Sequence, residues 1–292
     1  MPKCYLCPRK CGADRPSSRG FCGADTLQLG RAAPHFYEEP PVSGKNGSGT
    51  IFFSGCPLSC VFCQNHELSD GCFGKPVTVN KLADIMLSLQ DKGCHNINLV
   101  SPTPYVKDII KALDIAKLKI PVVYNTSGYE RVQTLKALEG YVDIYLPDLK
   151  YVSGGLSEKY SGAADYPSVA AEALSEMMRQ RGGCEYGEDG MMKRGVIVRH
   201  LVLPSHKDES IAVLKFLHEN YDKSKFLLSL MSQYVPDFRA DEYPEINRKL
   251  TKLEYRRVSE YAIALGFDGF FQDSSSQSSD YTPSFDLTGI DQ

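Results

Sequence analysis

Residues 50–65 read Thr50-Ile51-Phe52-Phe53-Ser54-Gly55-Cys56-Pro57-Leu58-Ser59-Cys60-Val61-Phe62-Cys63-Gln64-Asn65. An apolar, strand-like run ends in a glycine and delivers three cysteines spaced Cys-x3-Cys-x2-Cys, on a loop that Pro57 keeps from continuing as regular structure. A closed structural zinc site or an all-cysteine electron-transfer cluster uses four ligands. Three therefore predict an iron-sulfur cluster with one position open for a substrate or cofactor. The competing readings are a zinc loop that borrows His66 as fourth ligand, or reduced thiols packed in a core.

The chain has 292 residues and a formal net charge of -3. That length accommodates one α/β barrel plus a small appendage. The charge supplies no global positive field, so nucleic acid and anionic membrane surfaces are disfavoured as partners. The amino terminus, Met1-Pro2-Lys3-Cys4, carries no apolar signal region, and no stretch approaches a membrane span, which sets the expectation of a soluble cytoplasmic protein. Of ten cysteines, seven fall within the first 63 residues. In a reducing compartment such clustering points to metal rather than to disulfides.

Four of the seven, Cys4, Cys7, Cys11 and Cys22, sit in a short, turn-rich segment without periodicity. Four thiolates in such a piece make a closed metal knuckle, because a metal staples a segment too small for its own core. Zinc and a second iron-sulfur cluster both suit these spacings, and the reading leans slightly to zinc or a structural role. Residues 31–49, rich in proline and glycine, read as a connector.

Beyond residue 65, helix and strand signals alternate. Residues 80–92 form an amphipathic helix with Asn80 as N-cap, 96–100 a strand, and a further helix follows with Thr103 as cap and Pro104 at its first turn. Strands at 121–124, 141–146, 196–203 and 226–230 alternate with helices at 130–139, 168–180, from about 208, and 245–265. Residues 182–195 form a glycine-rich excursion, and 267–271 read as a candidate closing segment of the array. Successive strand-helix units require parallel strands and right-handed crossovers. The expected fold is α/β, a partial (β/α)6 TIM-like barrel over 50–272, preceded by the cysteine-rich segment and connector (1–49) and followed by a tail (273–292). Within the tail, 273–280 read as a linker and 281–290 as a segment able to dock back.

Chemistry in such barrels gathers at the carboxyl ends of the strands. Those ends carry the cysteines, Ser101-Pro102-Thr103, Asn125, Asp148 with Lys150, Arg199 with His200, and Gln233. Arg199 and His200 are adjacent on a strand and point to opposite faces, so one of them reaches the mouth. A charged Arg in a Val/Ile/Leu strand must find a partner.

These stretches resemble the radical S-adenosylmethionine superfamily, and within it proteins related to pyruvate formate-lyase activating enzyme, especially a branch with a cysteine-rich amino terminus. The likeness rests on 4–12, 60–65, 96–105, 125–129, 148–151, 199–204 and 285–289. It implies that Cys56, Cys60 and Cys63 hold a 4Fe-4S cluster whose fourth iron chelates S-adenosylmethionine, with Phe62 against the adenine. Asp148 and Lys150 would meet the methionyl or ribose groups, Arg199 the carboxylate or ribose side, and Asn125 the ribose. Ser101 and Thr103 stand where the activating enzymes have Gly-Gly-Glu; they supply hydroxyls and no carboxylate. Asn125 stands where those enzymes have Asp.

The implied reaction is reductive cleavage to methionine and a 5′-deoxyadenosyl radical, fed by an electron donor such as flavodoxin or ferredoxin. Hydrogen abstraction follows, from a glycyl Cα of a partner protein if the likeness extends so far. The alternatives are another peptide or a small molecule as substrate, or a non-enzymatic electron carrier or metal-dependent adaptor.

Overall fold

The computed structural model describes residues 3–15, 17–272 and 282–290. Strand β1 (Gln28–His35) leads through a short helix α1 (Pro40–Ser43) into β2 (Ser48–Phe53), the strand that ends in the cysteine loop. A helical turn α2 (His66–Ser69) and a two-residue β3 (Lys75–Pro76) follow. Then α3 (Val79–Asp91), β4 (Ile97–Val100), α4 (Val106–Ala116), β5 (Val122–Thr126), α5 (Val132–Ala137) and β6 (Ile144–Pro147) alternate. Two helices, α6 (Gly154–Ser161) and α7 (Tyr166–Arg181), precede a hairpin of β7 (Glu185–Tyr186) with β8 (Met192–Leu201). The chain finishes with α8 (Lys207–Asn220), β9 (Leu227–Met231), α9 (Lys252–Ala264) and β10 (Gly269–Phe271).

The strand order is β10-β9-β8-β6-β5-β4-β2-β1-β3, with β7 paired to β8. From β2 to β10 each neighbouring pair along this order is parallel. Parallel neighbours need long crossovers, and the helices supply them. This is the expected α/β partial barrel, and residues 269–271 extend it as a further parallel strand. All six residues of β2 are buried, as a central parallel strand covered on both faces requires.

Local departures have local causes. Helix α3 is capped by Thr78, whose hydroxyl accepts from Lys81 N, and not by Asn80, because Thr78 holds the extended backbone of an N-cap. The helix expected from residue 245 starts only at Lys252, where Thr251 and Glu254 form a capping box. Helix α6, which no periodicity announced, is capped by Ser153.

The larger correction concerns residues 31–49. They are no mere connector: β1 pairs antiparallel with β2, with an irregularity between Leu29 and Arg31, and widens the sheet. The following segment fills the barrel. Val42 is fully buried among Val123, Ile144, Leu146 and Ile197, and Asn96 Nδ2 donates to its carbonyl at 2.7 Å. An open partial barrel leaves an interior that must be packed to native density, and this segment packs it.

The tail docks along β1. Leu287 N donates to Gly30 O at 3.1 Å, Ala32 N to Thr288 O at 2.8 Å, Arg31 pairs with Asp286 at 2.7 Å, and Ile290 is buried. The expected linker at 273–280 lies outside the described residues. Among the described residues no helix is long and apolar enough to cross a membrane.

Candidate functional site

The carboxyl ends of the parallel strands open into a cavity of about 230 Å³. Cys56, Cys60, Cys63 and Phe62 line it from the loop after β2, Ser101 from the end of β4, Asn125 from β5, Asp148 and Lys150 from the loop after β6, Arg199 from β8 and Gln233 from beyond β9. Residues far apart in the chain meet here because each parallel strand delivers its last residues to the same rim. Ser101 does so with a left-handed backbone, φ 57°.

A chain of charges crosses the cavity wall. Lys150 Nζ meets Asp148 Oδ2 at 2.6 Å, and Arg199 meets Asp148 Oδ1 at 2.9 Å. Arg199 Nη2 also donates to Asn125 Oδ1 at 2.6 Å, and its Nη1 lies 3.5 Å from Glu38 Oε2. Burial alone would raise the Asp148 carboxyl, but Lys150 and Arg199 outweigh it and hold the group below its ordinary range. The Asp148 charge in turn keeps Lys150 and Arg199 protonated against the desolvation that works on both.

Glu38 is the site residue that sequence reasoning missed. It arrives on the segment between β1 and α1, lines the cavity, and accepts from Asn98 Nδ2 at 2.8 Å and Asn125 Nδ2 at 3.3 Å. Burial pushes its carboxyl up, and Arg199 opposes that shift. The signal that could have found it is the acidic pair Glu38-Glu39 set between a strand-like run and Pro40-Pro41. His200 points to the opposite face from Arg199, as β geometry requires: its Nδ1 lies 2.7 Å from Leu149 O and its Nε2 2.9 Å from Ser210 Oγ.

Thr103 is a correction. It is buried and is absent from the cavity lining; its hydroxyl donates to Glu130 Oε1 at 2.5 Å. The residues after Ser101 turn at once into a 3-10 turn, Thr103–Tyr105, which carries the side chain below the rim. Glu130 also accepts from Thr126 at 2.6 Å and Tyr124 at 3.3 Å, while its Oε2 is buried without a hydrogen-bond partner. Burial, against these three hydroxyls, pushes its carboxyl up to about 7.

The three-cysteine loop is ringed by donors. Ser69 Oγ donates to Cys63 Sγ at 3.2 Å, Cys60 Sγ lies 3.1 Å from Ser161 Oγ, and Leu58 N lies 3.5 Å from Cys56 Sγ. Burial, and then the neighbouring Cys60, pushes Cys56 well above the ordinary thiol range and Cys63 up to about 11. Thiols pushed up in this way ionise only beside a cationic metal core. Among the described residues no three Cys, His, Asp or Glu groups are gathered as a single-ion site. A cluster makes no such demand, since each thiolate takes a different iron; three thiols on one wall of a cavity lined by both charged and apolar side chains fit it. His66 stacks on Phe238 with ring centroids 4.9 Å apart and its Nδ1 lies 3.2 Å from Cys63 O. These contacts give it a partner other than a metal.

The amino-terminal knuckle sits against the same loop. Cys7 and Cys22 are buried, Cys4 is half-buried and Cys11 exposed. Arg9 donates to Pro57 O at 2.8 Å and Gly162 O at 2.6 Å, Thr134 Oγ1 to Leu6 O at 2.6 Å, Arg15 to Pro104 O at 2.7 Å, and Arg131 to Tyr5 O.

Comparison with known proteins bears on the family and the fold. The Radical SAM superfamily profile matches residues 50–184. An uncharacterised protein of Methanocaldococcus jannaschii, MJ0674, is 32% identical over 275 residues, covering 91% of this chain and 75% of that one. Among solved structures, SuiB of Streptococcus suis superposes with a TM-score of 0.50 at 17% identity, over 75% of this chain and 47% of SuiB. This chain therefore spans less than half the length of SuiB. Methylornithine synthase, PylB, superposes at 0.47 and 13% identity over 71% of this chain and 59% of that one.

Proposed function

The chain belongs to the radical SAM superfamily, and from that membership we propose that it reductively cleaves S-adenosylmethionine at a 4Fe-4S cluster on Cys56, Cys60 and Cys63 and abstracts hydrogen from a peptide substrate. The observation that carries the reading is the meeting, in one cavity, of the cysteine loop with the charge chain Lys150–Asp148–Arg199–Glu38. When bound, the cluster and S-adenosylmethionine supply a low-potential electron and a carbon-centred radical.

The chain's own residues bind and orient. Phe62, held edge-on by Tyr234 at 5.9 Å, offers an aromatic edge to the adenine. Lys150 and Asp148 receive the methionyl or ribose groups, Arg199 the carboxylate or ribose side, and Ser101, Asn125 and Gln233 complete the polar wall. Glu38 adds the carboxylate that Ser101-Pro102-Thr103 does not provide. Holding these groups in place before binding is what lets the barrel align a radical with its target and exclude solvent.

A peptide is favoured because a second, open pocket shares Gln64, Val235 and Pro283 with the cavity wall and adds His66 and Asp237. A glycyl Cα–H of a partner protein, as in the pyruvate formate-lyase activating enzyme likeness, is the substrate we put first. The test is anaerobic: reconstitute with iron and sulfide, reduce with dithionite, add S-adenosylmethionine and quantify 5′-deoxyadenosine. Product from the parent and none from Cys60→Ala is expected. No product from a loaded, reducible cluster would leave the electron-carrier reading.

A further inference from the structure

We propose that the amino-terminal knuckle holds a second 4Fe-4S cluster on Cys4, Cys7, Cys11 and Cys22, and that this cluster passes electrons into the barrel site through the contact of Cys22 with Gly55. The relay rests on the reading of the barrel site just given; the presence of the metal does not.

Three independent features of the knuckle point to it. The first is a convergence of sulfur on a glycine. A methyl group at Gly20 would lie 3.3 Å from Cys11 Sγ, 3.5 Å from Cys22 Sγ and 3.2 Å from Arg15 Nη2. Residue 20 has no side chain where two thiols and a guanidinium converge.

The second is a surplus of donors. Arg15 Nη2 donates to Cys22 Sγ at 3.0 Å. Arg15 Nε and Tyr105 Oη are buried with no hydrogen-bond partner, although Tyr105 is only 2% exposed. Tyr105 packs in the same core cluster as Cys22. Buried donors without acceptors are rare in folded proteins. A zinc ion with four thiolates adds no acceptor of its own, whereas the bridging sulfides of a cluster do, and hydrogen bonds to sulfur tune its potential.

The third is position. A methyl group at Gly55, which has φ 84°, would lie 2.4 Å from Cys22 O, so the Cys22 carbonyl rests directly on the residue before Cys56. Arg9, two residues after Cys7, bonds the carbonyl of Pro57, the residue after Cys56. The knuckle thus brackets one barrel ligand on both sides, through residues that are themselves knuckle ligands or their near neighbours. A staple that only closed the chain terminus would have no need to grip the cysteine loop in this way.

The electron count closes. A reduced one-electron carrier protein of the flavodoxin or ferredoxin class gives one electron to the knuckle cluster and is oxidised by one. The knuckle passes that electron to the barrel cluster with no bond made or broken. The barrel cluster spends it on the sulfonium, breaking one carbon–sulfur bond to give methionine and the 5′-deoxyadenosyl radical.

The first test uses the full chain carrying Cys56→Ala, Cys60→Ala and Cys63→Ala, reconstituted anaerobically and assayed for iron, zinc and sulfide and by EPR after dithionite. About four irons per chain and a reduced-cluster signal, both lost when Cys11→Ala and Cys22→Ala are added together, are expected. Zinc in place of iron, or no bound metal, overturns the proposal. The relay is read with the barrel cysteines present, as the ratio of 5′-deoxyadenosine formed with reduced flavodoxin to that formed with dithionite. The ratio falls several-fold in the variant carrying both Cys11→Ala and Cys22→Ala; an unchanged ratio overturns the relay.

Arg15→Gln, which keeps every cysteine, covers a double cysteine variant that does not fold. Loss of a cationic donor to sulfur lowers the knuckle potential, and a potential that does not move overturns the assignment. A parent that binds knuckle iron yet forms no 5′-deoxyadenosine with dithionite refutes the barrel reading and the relay together, and leaves the knuckle metal standing.

Discussion

Arg9 Nε donates to the carbonyl of Pro57 at 2.8 Å, across 48 positions of chain, and so ties the amino-terminal knuckle to the loop that carries Cys56, Cys60 and Cys63. The same guanidinium bonds Gly162 O at 2.6 Å and lies over the Phe21 ring at 4.1 Å. Replacing it removes two charge-assisted bonds and leaves two carbonyls in search of donors. Arg9→Met should cost about 1–3 kcal/mol in urea unfolding and speed the loss of iron to a chelator from the loaded protein.

Asp148 serves two cations at once. With side-chain exposures of 16% for Asp148, 18% for Lys150 and 15% for Arg199, the trio is nearly desolvated. Asp148→Asn leaves two buried positive charges, with Glu39 and Glu38 the carboxylates that still act on Arg199. A loss of about 3–5 kcal/mol is expected from denaturant melts, with weaker S-adenosylmethionine binding by calorimetry.

Ser101 and Thr103 separate cleanly. Ser101 lines the cavity, whereas Thr103 holds Glu130. Thr103→Val should lower stability by about 1–3 kcal/mol and leave S-adenosylmethionine affinity where it was. A loss of affinity with stability intact would return Thr103 to the cofactor.

Glu130 makes stability depend on pH. Its folded value of about 7 exceeds the ordinary 4.5, so between these values the unfolded chain gives up its proton first. Stability therefore falls as pH rises through this window, by about 3 kcal/mol in all, and is level on either side. Glu130→Gln removes the slope: relative to the parent it gains stability from pH 5 to pH 8, measurable as paired urea melts.

The tail forms part of the cavity wall through Thr282 and Pro283 and is fastened by Ala32 N to Thr288 O at 2.8 Å. A chain ending at residue 281 should lose hydrogen-exchange protection at the Ala32 amide and bleach its cluster faster in air. Equal exchange at Ala32 would show that the fastening carries no stability.

Much of this protein is local and therefore legible in the chain itself. The Cys-x3-Cys-x2-Cys spacing, the alternation of strand and helix periodicities, and the polar residues at successive strand ends determine a parallel α/β barrel with its chemistry at one rim, because parallel strands all deliver their carboxyl ends to the same face. Phe62, Ser101, Asn125, Asp148, Lys150, Arg199 and Gln233 are legible for that reason. Thr103 is not, since the 3-10 turn Thr103–Tyr105 decides whether its side chain faces the cavity or Glu130.

What the tertiary structure alone decided are the contacts whose partners lie far apart in sequence and share no period. Glu38 enters the site because a partial barrel must be filled and the segment after β1 fills it. The knuckle lies on the cysteine loop because Arg9 finds Pro57 and Cys22 finds Gly55. No spacing rule links those positions; packing and hydrogen-bond satisfaction do.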